Sequence, residues 1–310
     1  METVNLTILI ITFQNETDII PCLDAIPWSD LSVHVHVVDN ASRDATRKRI
    51  ENYCSKHLDR HIDTTRNPVN RGYAEGLNQA LPDVRSPWIL LLGPDVRLES
   101  GAVNTLVRFL ENHPDVGCAA PQLVDEEERI RASCRRFPAI KDLLLELTGL
   151  PRVASSRFCT GWRMPDFDHR TQRDVDQPEA SCLLIRREAL EQVGSMDSRF
   201  PLFFNDVDWC RRFHEKGWRI VFLPDARAVH RGGASIRSLG VAAIWKSHQG
   251  FYRYFLKYAE TPGERLAIYL LGWLLIITAT IRSCLCLTGY GKTGHLTQNR
   301  GGASCDTHTS

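Results

Sequence analysis

The sequence has 310 residues, of which 43% are hydrophobic and 24% are charged, and this composition excludes an intrinsically disordered chain. Its 38 Lys and Arg residues nearly balance 37 Asp and Glu residues, so the chain lacks the basic excess of a bulk nucleic-acid binder and we expect no nucleic-acid partner. The length suits one large domain, or one domain with an appendage.

The ten cysteines are scattered, and none forms a CxxC pair with the spacing of zinc ligands. We therefore expect reduced, buried thiols in a cytosolic protein. The first 13 residues carry no basic region ahead of their short apolar run, which predicts a buried strand and not a signal peptide.

Short apolar runs alternate with helical segments along the chain. Strands are predicted at residues 6–12, 33–38, 88–92, 117–120, 183–185 and 220–229, and helices at 15–23, 73–81, 105–112, 187–193 and 206–216. This alternation predicts an α/β fold with a mostly parallel sheet flanked by helices. Ligands bind such sheets at the carboxyl ends of the strands, where Thr12, Asp39 and Asp95 stand.

Two stretches are candidates for binding a nucleotide. Asp39 and Asn40 end the second strand, where a carboxylate can accept a hydrogen bond from a base or ribose or can simply cap a helix. In residues 70–78, NRGYAEGLN, small residues permit close backbone approach and a helix N-terminus near Gly72 would favour phosphate oxygens. The same composition also fits a loop followed by a helix with small packing residues.

Asp95 and His230 are candidate metal ligands. Asp95 follows an apolar run and a Gly-Pro turn, where a carboxylate suits Mg²⁺ or Mn²⁺ or serves the turn itself. His230 ends a strand-like run just before Arg231, and a neutral imidazole is a common ligand for Mn²⁺-type ions. A histidine alone is more often structural.

Asp206 and Asp208 lie two residues apart at a helix start behind an aromatic pair. The helix dipole keeps such carboxylates ionised, and one of them can act as the base that removes a proton from an acceptor hydroxyl. Helix capping explains one carboxylate but not two. Asp208 and Arg212 could orient the base or meet the acceptor.

The rest of the chain divides into a charged middle and an apolar end. Residues 125–177 are irregular and hold Arg129, Arg131, Arg135 and Arg136, either as a solvated loop or as a cover over an anionic substrate. Residues 266–281 carry no charge and predict a helix of ~24 Å, short of a hydrocarbon core of ~30 Å. Basic and aromatic residues alternate at 246–257, which favours a membrane interface over a buried core helix.

Taken together, the stretches VVDNAS, NRGYAEGLN, LLGPDV, VGSMDSRFPLFFNDVDWCRRFHEKGWRI and PDARAVHRGGAS resemble family 2 glycosyltransferases, closest to the rhamnosyltransferase-like branch. The resemblance covers about residues 5–240. It implies a GT-A fold with a Rossmann-like sheet, an inverting mechanism and a divalent cation, Mg²⁺ or Mn²⁺.

The resemblance also implies roles for single residues. Asp95 and His230 match metal ligands and Asp206 matches the catalytic base, with Asp208 assigned beside it. Thr12, Asp39 and Asn70 match nucleotide-contacting positions, and we assign Asn40, Gly72 and Asn78 from the same stretches to nucleotide binding as well.

The sequence departs from the family pattern at three places. Gly93 replaces the usual Asn or Asp beside the metal, and Asn205 replaces the usual Glu beside the base. The usual Gly-Ala before the next strand is Ala180-Ser181, which would crowd the acceptor side.

The expected activity is transfer of a sugar from a nucleoside-diphosphate sugar, dTDP-rhamnose or a UDP-sugar, to a glycan or lipid-linked acceptor in cell-surface polysaccharide synthesis. Residues 1–240 would form the catalytic domain, 241–288 a helical membrane-associated segment at the cytoplasmic face, and 289–310 a disordered tail. The alternatives are a catalytically weak sugar-nucleotide-binding protein at the membrane and a nucleotidyltransferase on a similar sheet.

Overall fold

The computed structural model describes residues 5–29, 32–148, 161–232 and 240–287. The predicted tail at 289–310 lies outside these residues. The strands are β1 (Asn5–Thr12), β2 (Ser32–Asp39), β3 (His61–Arg66), β4 (Trp88–Leu92), β5 (Val96–Leu98), β6 (Val116–Val124), β7 (Cys134–Arg135), β8 (Arg173–Asp174), β9 (Gln177–Pro178), β10 (Cys182–Arg186) and β11 (Arg219–His230).

The helices follow the strands in alternation through the first half of the chain. They are α1 (Ile19–Asp24), α2 (Thr46–Lys56), α3 (Tyr73–Ala80), α4 (Ala102–Asn112), α5 (Ile140–Thr148), α6 (Arg187–Val193), α7 (Asn205–Glu215), α8 (Val241–Lys257) and α9 (Pro262–Leu287). Short 3-10 turns lie at Leu81–Asp83 and Gly161–Arg163.

The main sheet has the strand order β3-β2-β1-β4-β10-β6-β11-β5, with β8 beside β11. Strands β1 to β4 are parallel, and so are β6 and β11. The mostly parallel α/β sheet predicted from the alternation is therefore confirmed. Strand β10 runs antiparallel between β4 and β6, with Cys182 opposite Leu92. Because of this reversal, the residues just before β10 lie at the edge where the parallel strands end.

Each face of the sheet carries its own hydrophobic core, because alternate strand residues point to opposite faces. Val35 and Leu90 pack on the face covered by α1, α2 and α4, while Leu9 and Leu91 pack on the face of α3, α6 and α7. A third core joins α8 and α9 to the segment that leads into α7. Its buried members include Phe200, Phe204, Val207, Tyr254, Phe255, Ile268, Leu271 and Leu275. Helix α8 thus packs directly on the sheet domain, although a boundary at residue 240 was predicted between them.

Two helices differ from their predicted bounds. The helix predicted at 15–23 begins at Ile19, because the backbone carbonyl of Asn15 closes a turn by accepting from the amides of Asp18 and Ile19. The apolar run 266–281 is the middle of α9, whose 26 residues span ~39 Å at ~1.5 Å per residue.

Candidate active site

The carboxyl ends of β1 and β2 form one side of the site. Thr12 is fully buried and its Oγ1 donates to Asn15 Oδ1 at 3.2 Å. Asp39 Oδ1 accepts from the backbone amide of Ser42 at 3.0 Å, which shapes the turn after β2. Both predicted nucleotide residues therefore lie side by side where the two parallel strands end, with Thr12 in register with Asp39.

Asn40 and Asn70 hold the loop in front of α3. The Oδ1 atom of buried Asn40 accepts from Asn67 Nδ2 at 3.1 Å and from the Arg71 amide at 3.0 Å, and its Nδ2 donates to Gly72 O at 2.9 Å. Asn70 Oδ1 accepts from the Gly72 amide at 2.8 Å. These bonds give both asparagines a local role in loop shape.

Gly72 and Asn78 attach α3 to the segment before α7. Gly72 has φ +85°, and a Cβ there would lie 2.6 Å from Pro201 O, so only glycine fits. The first amide of α3, that of Tyr73, donates to Pro201 O at 2.7 Å. Asn78 exchanges two bonds with the backbone of Met196, at 2.7 and 2.9 Å. The first amide of the helix N-terminus that was expected to face phosphate is thus bonded to Pro201, and Asn78 binds the backbone near residue 196.

Asp95 and His230 come together from distant parts of the chain. Antiparallel pairing of β5 and β11 places His230 opposite Val96, directly after Asp95. His230 Nε2 lies 3.5 Å from Asp95 Oδ2. Burial opposes the ionised carboxylate, but the hydrogen bond and charge of His230 outweigh it, so the pKa of Asp95 is lowered. Burial likewise opposes protonation of His230, yet Asp95 and Glu179 outweigh it and raise the pKa of His230.

Glu179 is a member of this cluster that the sequence motifs did not reveal. Its Oε1 lies 3.5 Å from His230 Nδ1, a buried atom that has no hydrogen-bond partner among the residues that the structure describes. Pairing of β7 with β9 fixes Glu179, whose amide donates to Ser133 O at 2.8 Å. In the sequence, Glu179 is only the last charged residue before an apolar strand. The antiparallel direction of that strand could not be deduced from the sequence.

Gly93 is enclosed, so the departure from the family pattern has a steric cause. A Cβ at this position would lie 3.1 Å from Asp95 Oδ1 and 3.3 Å from Ser181 O. The Gly93 amide donates to Ser181 O at 2.7 Å, because β10 begins beside it. A polar side chain at Gly93 would meet the carboxylate of Asp95 and the start of β10.

Asp206 is the second residue of α7 and is half-buried. Its Oδ1 accepts from the Val207 amide at 2.9 Å, and its own amide donates to Asn205 Oδ1 at 2.7 Å. Burial, with the charge of Glu179, raises the pKa of Asp206 to about 6, although the hydrogen bond from the Val207 amide and the charge of Arg135 act to lower it. A carboxylate with this pKa is largely ionised at neutral pH yet more basic than a free one, as a general base requires.

The carboxylate of Asp208 lies inside the protein, where an acceptor cannot reach it. Its side chain is fully buried and accepts from Arg212 Nε at 3.0 Å, from Tyr258 Oη at 2.9 Å and from Lys257 Nζ. These partners tie α7 to the end of α8. The structure therefore corrects the expectation that Asp208 meets the acceptor, because its carboxylate is occupied by internal partners.

The four arginines of the middle segment divide into two pairs. Arg129 and Arg136 form exposed ion pairs with Asp125 and Asp166. Arg131 donates to His230 O at 3.1 Å. Burial lowers the pKa of Arg135, and the charges of Glu179 and Asp206 partly restore it. Two of the arginines thus belong to solvated surface and two lie at the site.

One edge of the sheet therefore brings together carboxylates, an imidazole and a half-buried arginine. A carboxylate oxygen of Asp95 and a nitrogen of His230 are donors that Mg²⁺ and Mn²⁺ bind, and Glu179 lies on the other side of the imidazole. A mostly parallel sheet with such an edge is the GT-A arrangement of enzymes that use sugar nucleotides.

Solved structures share this arrangement. The mannosyltransferase PcManGT from Pyrobaculum calidifontis, in complex with GDP-Man and Mn²⁺, matches 94% of this chain and 76% of its own, with a TM-score of 0.56 and 17% identity. GalNAc-T7 with UDP, GalNAc and Mn²⁺ matches 74% of this chain and 44% of its own, with a TM-score of 0.54 and 12% identity. These likenesses confirm the GT-A fold.

The profile of "Glycosyl transferase family 2" matches residues 7–194, more than half of the sequence, and this chain belongs to that family. An N-acetylglucosaminyl-diphospho-decaprenol L-rhamnosyltransferase of Mycobacterium tuberculosis is 28% identical over 71% of this chain and 73% of its own length. The rhamnosyltransferase WbbL of Escherichia coli is 22% identical over 55% of this chain and 62% of its own. The predicted likeness to the rhamnosyltransferase branch is confirmed.

Proposed function

We propose that this glycosyltransferase is inverting and metal-dependent and moves a sugar from a nucleoside-diphosphate sugar to a lipid-linked or glycan acceptor. The observation that carries the proposal is the convergence of Asp95, His230 and the basic Asp206 at one edge of the sheet. Family membership supports the reaction class, and the geometry supports the choice of these residues.

The cation would be held by Asp95 and His230, with Glu179 behind the imidazole. When bound, Mg²⁺ or Mn²⁺ offsets the charge that develops on the departing diphosphate. Thr12 and Asp39 stand at the ends of the neighbouring strands, where we place the nucleoside. Half-buried Arg135 adds a positive charge that acts on the base.

Asp206 removes the proton of the acceptor hydroxyl in a single displacement. The acceptor oxygen forms its bond to the anomeric carbon while the bond from that carbon to the diphosphate oxygen breaks, which inverts the configuration. The proton goes to the Asp206 carboxylate, whose raised pKa suits it to accept a proton near neutral pH.

A lipid-diphosphate sugar is the acceptor class that we propose. The Mycobacterium tuberculosis relative is named for rhamnose transfer to a sugar on decaprenyl diphosphate. dTDP-rhamnose is therefore the first donor to test, with UDP-sugars next.

The test is release of nucleoside diphosphate by the purified protein across donors, acceptors and divalent cations. Asp206→Asn is expected to abolish release while nucleotide binding persists, and Asp225→Asn, on the exposed part of β11, serves as the charge control. Wild-type turnover by Asp206→Asn would remove this residue from the base role. Nucleotide binding without any release in the wild-type protein would instead support the sugar-nucleotide-binding alternative.

Helix α9 is the part of the chain that we propose to contact the membrane. By length and composition it could cross a bilayer, with a mean hydropathy of 2.0 and only 22% of its most apolar stretch buried. Its exposed side chains include Leu266, Tyr269, Leu270, Trp273, Ile276, Ile277 and Ile281. The surface of a soluble protein seldom presents so continuous an apolar face.

The packing of α9 favours an orientation in the plane of the membrane surface. One stripe of α9, from Ile268 to Ser283, is buried along α8, and Gly272 lies against the ring of Tyr252. Helix α8 carries exposed Lys246 and Arg253. A spanning α9 would take these charges into hydrocarbon, at about 2.5–3.5 kcal/mol each on insertion scales.

An interfacial α9 would hold the catalytic edge near a lipid-linked acceptor, at what we expect to be the cytoplasmic face. Extraction with alkaline carbonate is expected to release the protein from vesicles, whereas a spanning helix would resist it. Leu270→Glu with Trp273→Glu should abolish vesicle binding, and the exposed Asn52→Glu with Asn112→Glu should not. Binding that persists in the α9 variant would exclude this surface.

A further inference from the structure

The edge strand β3 and its neighbour β2 place several metal-binding side chains on one face of the sheet. The two strands are parallel, with His34 opposite His61 and His36 opposite Asp63. Alternate residues of paired strands share a face, so all four side chains point the same way. His36 is engaged elsewhere, because its Nε2 lies 2.8 Å from Thr65 Oγ1.

The other three side chains form a compact cluster. His34 Nε2 lies 2.9 Å from Asp63 Oδ2, and the rings of His34 and His61 stack with centroids 4.1 Å apart. One candidate ligand atom from each of the three residues lies within 4.8 Å of the others. The three residues are therefore close enough together to hold one metal ion.

We propose that His34, His61 and Asp63 bind a zinc ion, with water as the fourth ligand. Two imidazole nitrogens and one carboxylate oxygen are a zinc donor set, and a tetrahedral ion with bonds of ~2.1 Å places its donors ~3.4 Å apart. For this geometry, ligand atoms up to 4.8 Å apart would close by about 1.4 Å, and the 2.9 Å contact of His34 with Asp63 would open by about 0.5 Å. They can do so because the His34 and Asp63 side chains are 26% and 60% exposed and His61 is exposed.

This zinc site is separate from the catalytic edge in both place and chemistry. His34 is near the amino end of β2 and Asp39 is at its carboxyl end, ~16 Å away at ~3.3 Å per residue. The catalytic edge offers one carboxylate and one imidazole and suits the harder Mg²⁺ or Mn²⁺, whereas two imidazoles favour Zn²⁺. A bound zinc ion would join the edge strand β3 to β2 and would stabilise the folded state, since the unfolded chain does not hold the three ligands together.

The test is calorimetric titration of the full chain with zinc chloride, in excess Mg²⁺ and nucleoside diphosphate so that the catalytic edge is occupied. Cys284 and Cys286 are exposed, and thiolates are themselves zinc ligands, so all proteins carry Cys284→Ser and Cys286→Ser to remove that competing site. His61→Ala and Asp63→Asn are compared with His57→Ala, a histidine outside the cluster. His61 is exposed and its loss leaves the bond between His34 and Asp63 intact, so the variant is expected to fold.

The parent protein is expected to bind one zinc ion that His61→Ala and Asp63→Asn lose and His57→Ala keeps. Zinc should also raise the midpoint of thermal unfolding of the parent protein and of His57→Ala. It should leave the midpoints of His61→Ala and Asp63→Asn unchanged. Unchanged zinc stoichiometry and affinity in both cluster variants would overturn the proposal, and so would the absence of saturable binding to the parent.

Discussion

The carboxylate of Asp206 is the residue-scale feature with the clearest consequence for pH. Burial raises its pKa to about 6, and only the ionised form can accept the acceptor proton. We expect the rate of transfer to fall as pH decreases through about 6, in a profile of turnover measured at saturating donor. A rate that stays constant down to pH 5 would contradict this role.

The raised pKa of Asp206 makes stability and activity change in opposite directions with pH: activity falls as pH decreases, whereas stability falls as pH increases. A carboxyl group whose pKa is raised on folding stabilises the folded state at low pH, and this contribution is lost as pH rises through about 6. Asp206→Asn should therefore unfold at a higher temperature than the wild-type protein at pH 8, with a difference that shrinks toward pH 5. The pairing of lost activity with retained or increased stability distinguishes a catalytic carboxylate from a structural one.

Glu179 is expected to act through His230. A carboxylate behind a metal-binding imidazole orients the ring and increases its basicity, and its loss lowers metal affinity by about 10–100-fold. Glu179→Gln should show this decrease in a Mn²⁺ titration followed by electron paramagnetic resonance, with nucleoside diphosphate present. Glu188→Gln, on the exposed start of α6, is the matched control. Equal Mn²⁺ affinity in both variants would show that Glu179 does not support the ligand.

At the scale of elements, the buried carboxylate of Asp208 joins α7 to α8. Removing one partner of a buried ion pair leaves the others unpaired, so Asp208→Ala should decrease the free energy of unfolding by about 3–5 kcal/mol. Urea unfolding measures the change. Asp225→Ala, on exposed β11, should leave the midpoint within experimental error. A small effect of Asp208→Ala would mean that water replaces its partners.

The antiparallel strand β10 is the element that brings the residues of the candidate active site together. Its antiparallel entry brings Glu179 to His230 and Ser181 to Gly93. The sequence identified β10 as a strand from its apolar run, but hydrophobic periodicity carries no direction and no partner. For the same reason Asp95 and His230 could be chosen by residue type and family likeness, whereas Glu179 could not.

At the scale of the whole molecule, the predicted boundary at residue 240 divides a shared core. A chain ending there would expose Phe200 and Phe204 and would leave Asp208 without Lys257 and Tyr258. We expect this fragment to aggregate, as measured by size-exclusion chromatography. A chain ending after Thr261 keeps α8 and should remain folded and active toward a soluble acceptor while losing vesicle binding. Equal stability of the two fragments would place the boundary at 240 after all.

The alternation of strands and helices, the residues at the ends of β1, β2 and β4, and the apolar end of the chain were all readable from the sequence. Each depends on local periodicity or on residue type, which a linear sequence carries directly. The partners of those residues were decided only by tertiary structure. Asp206 and Asp208 look alike in sequence, yet one lies at the sheet edge and the other is enclosed by α8, because helix rotation and long-range packing determine which carboxylate faces the site.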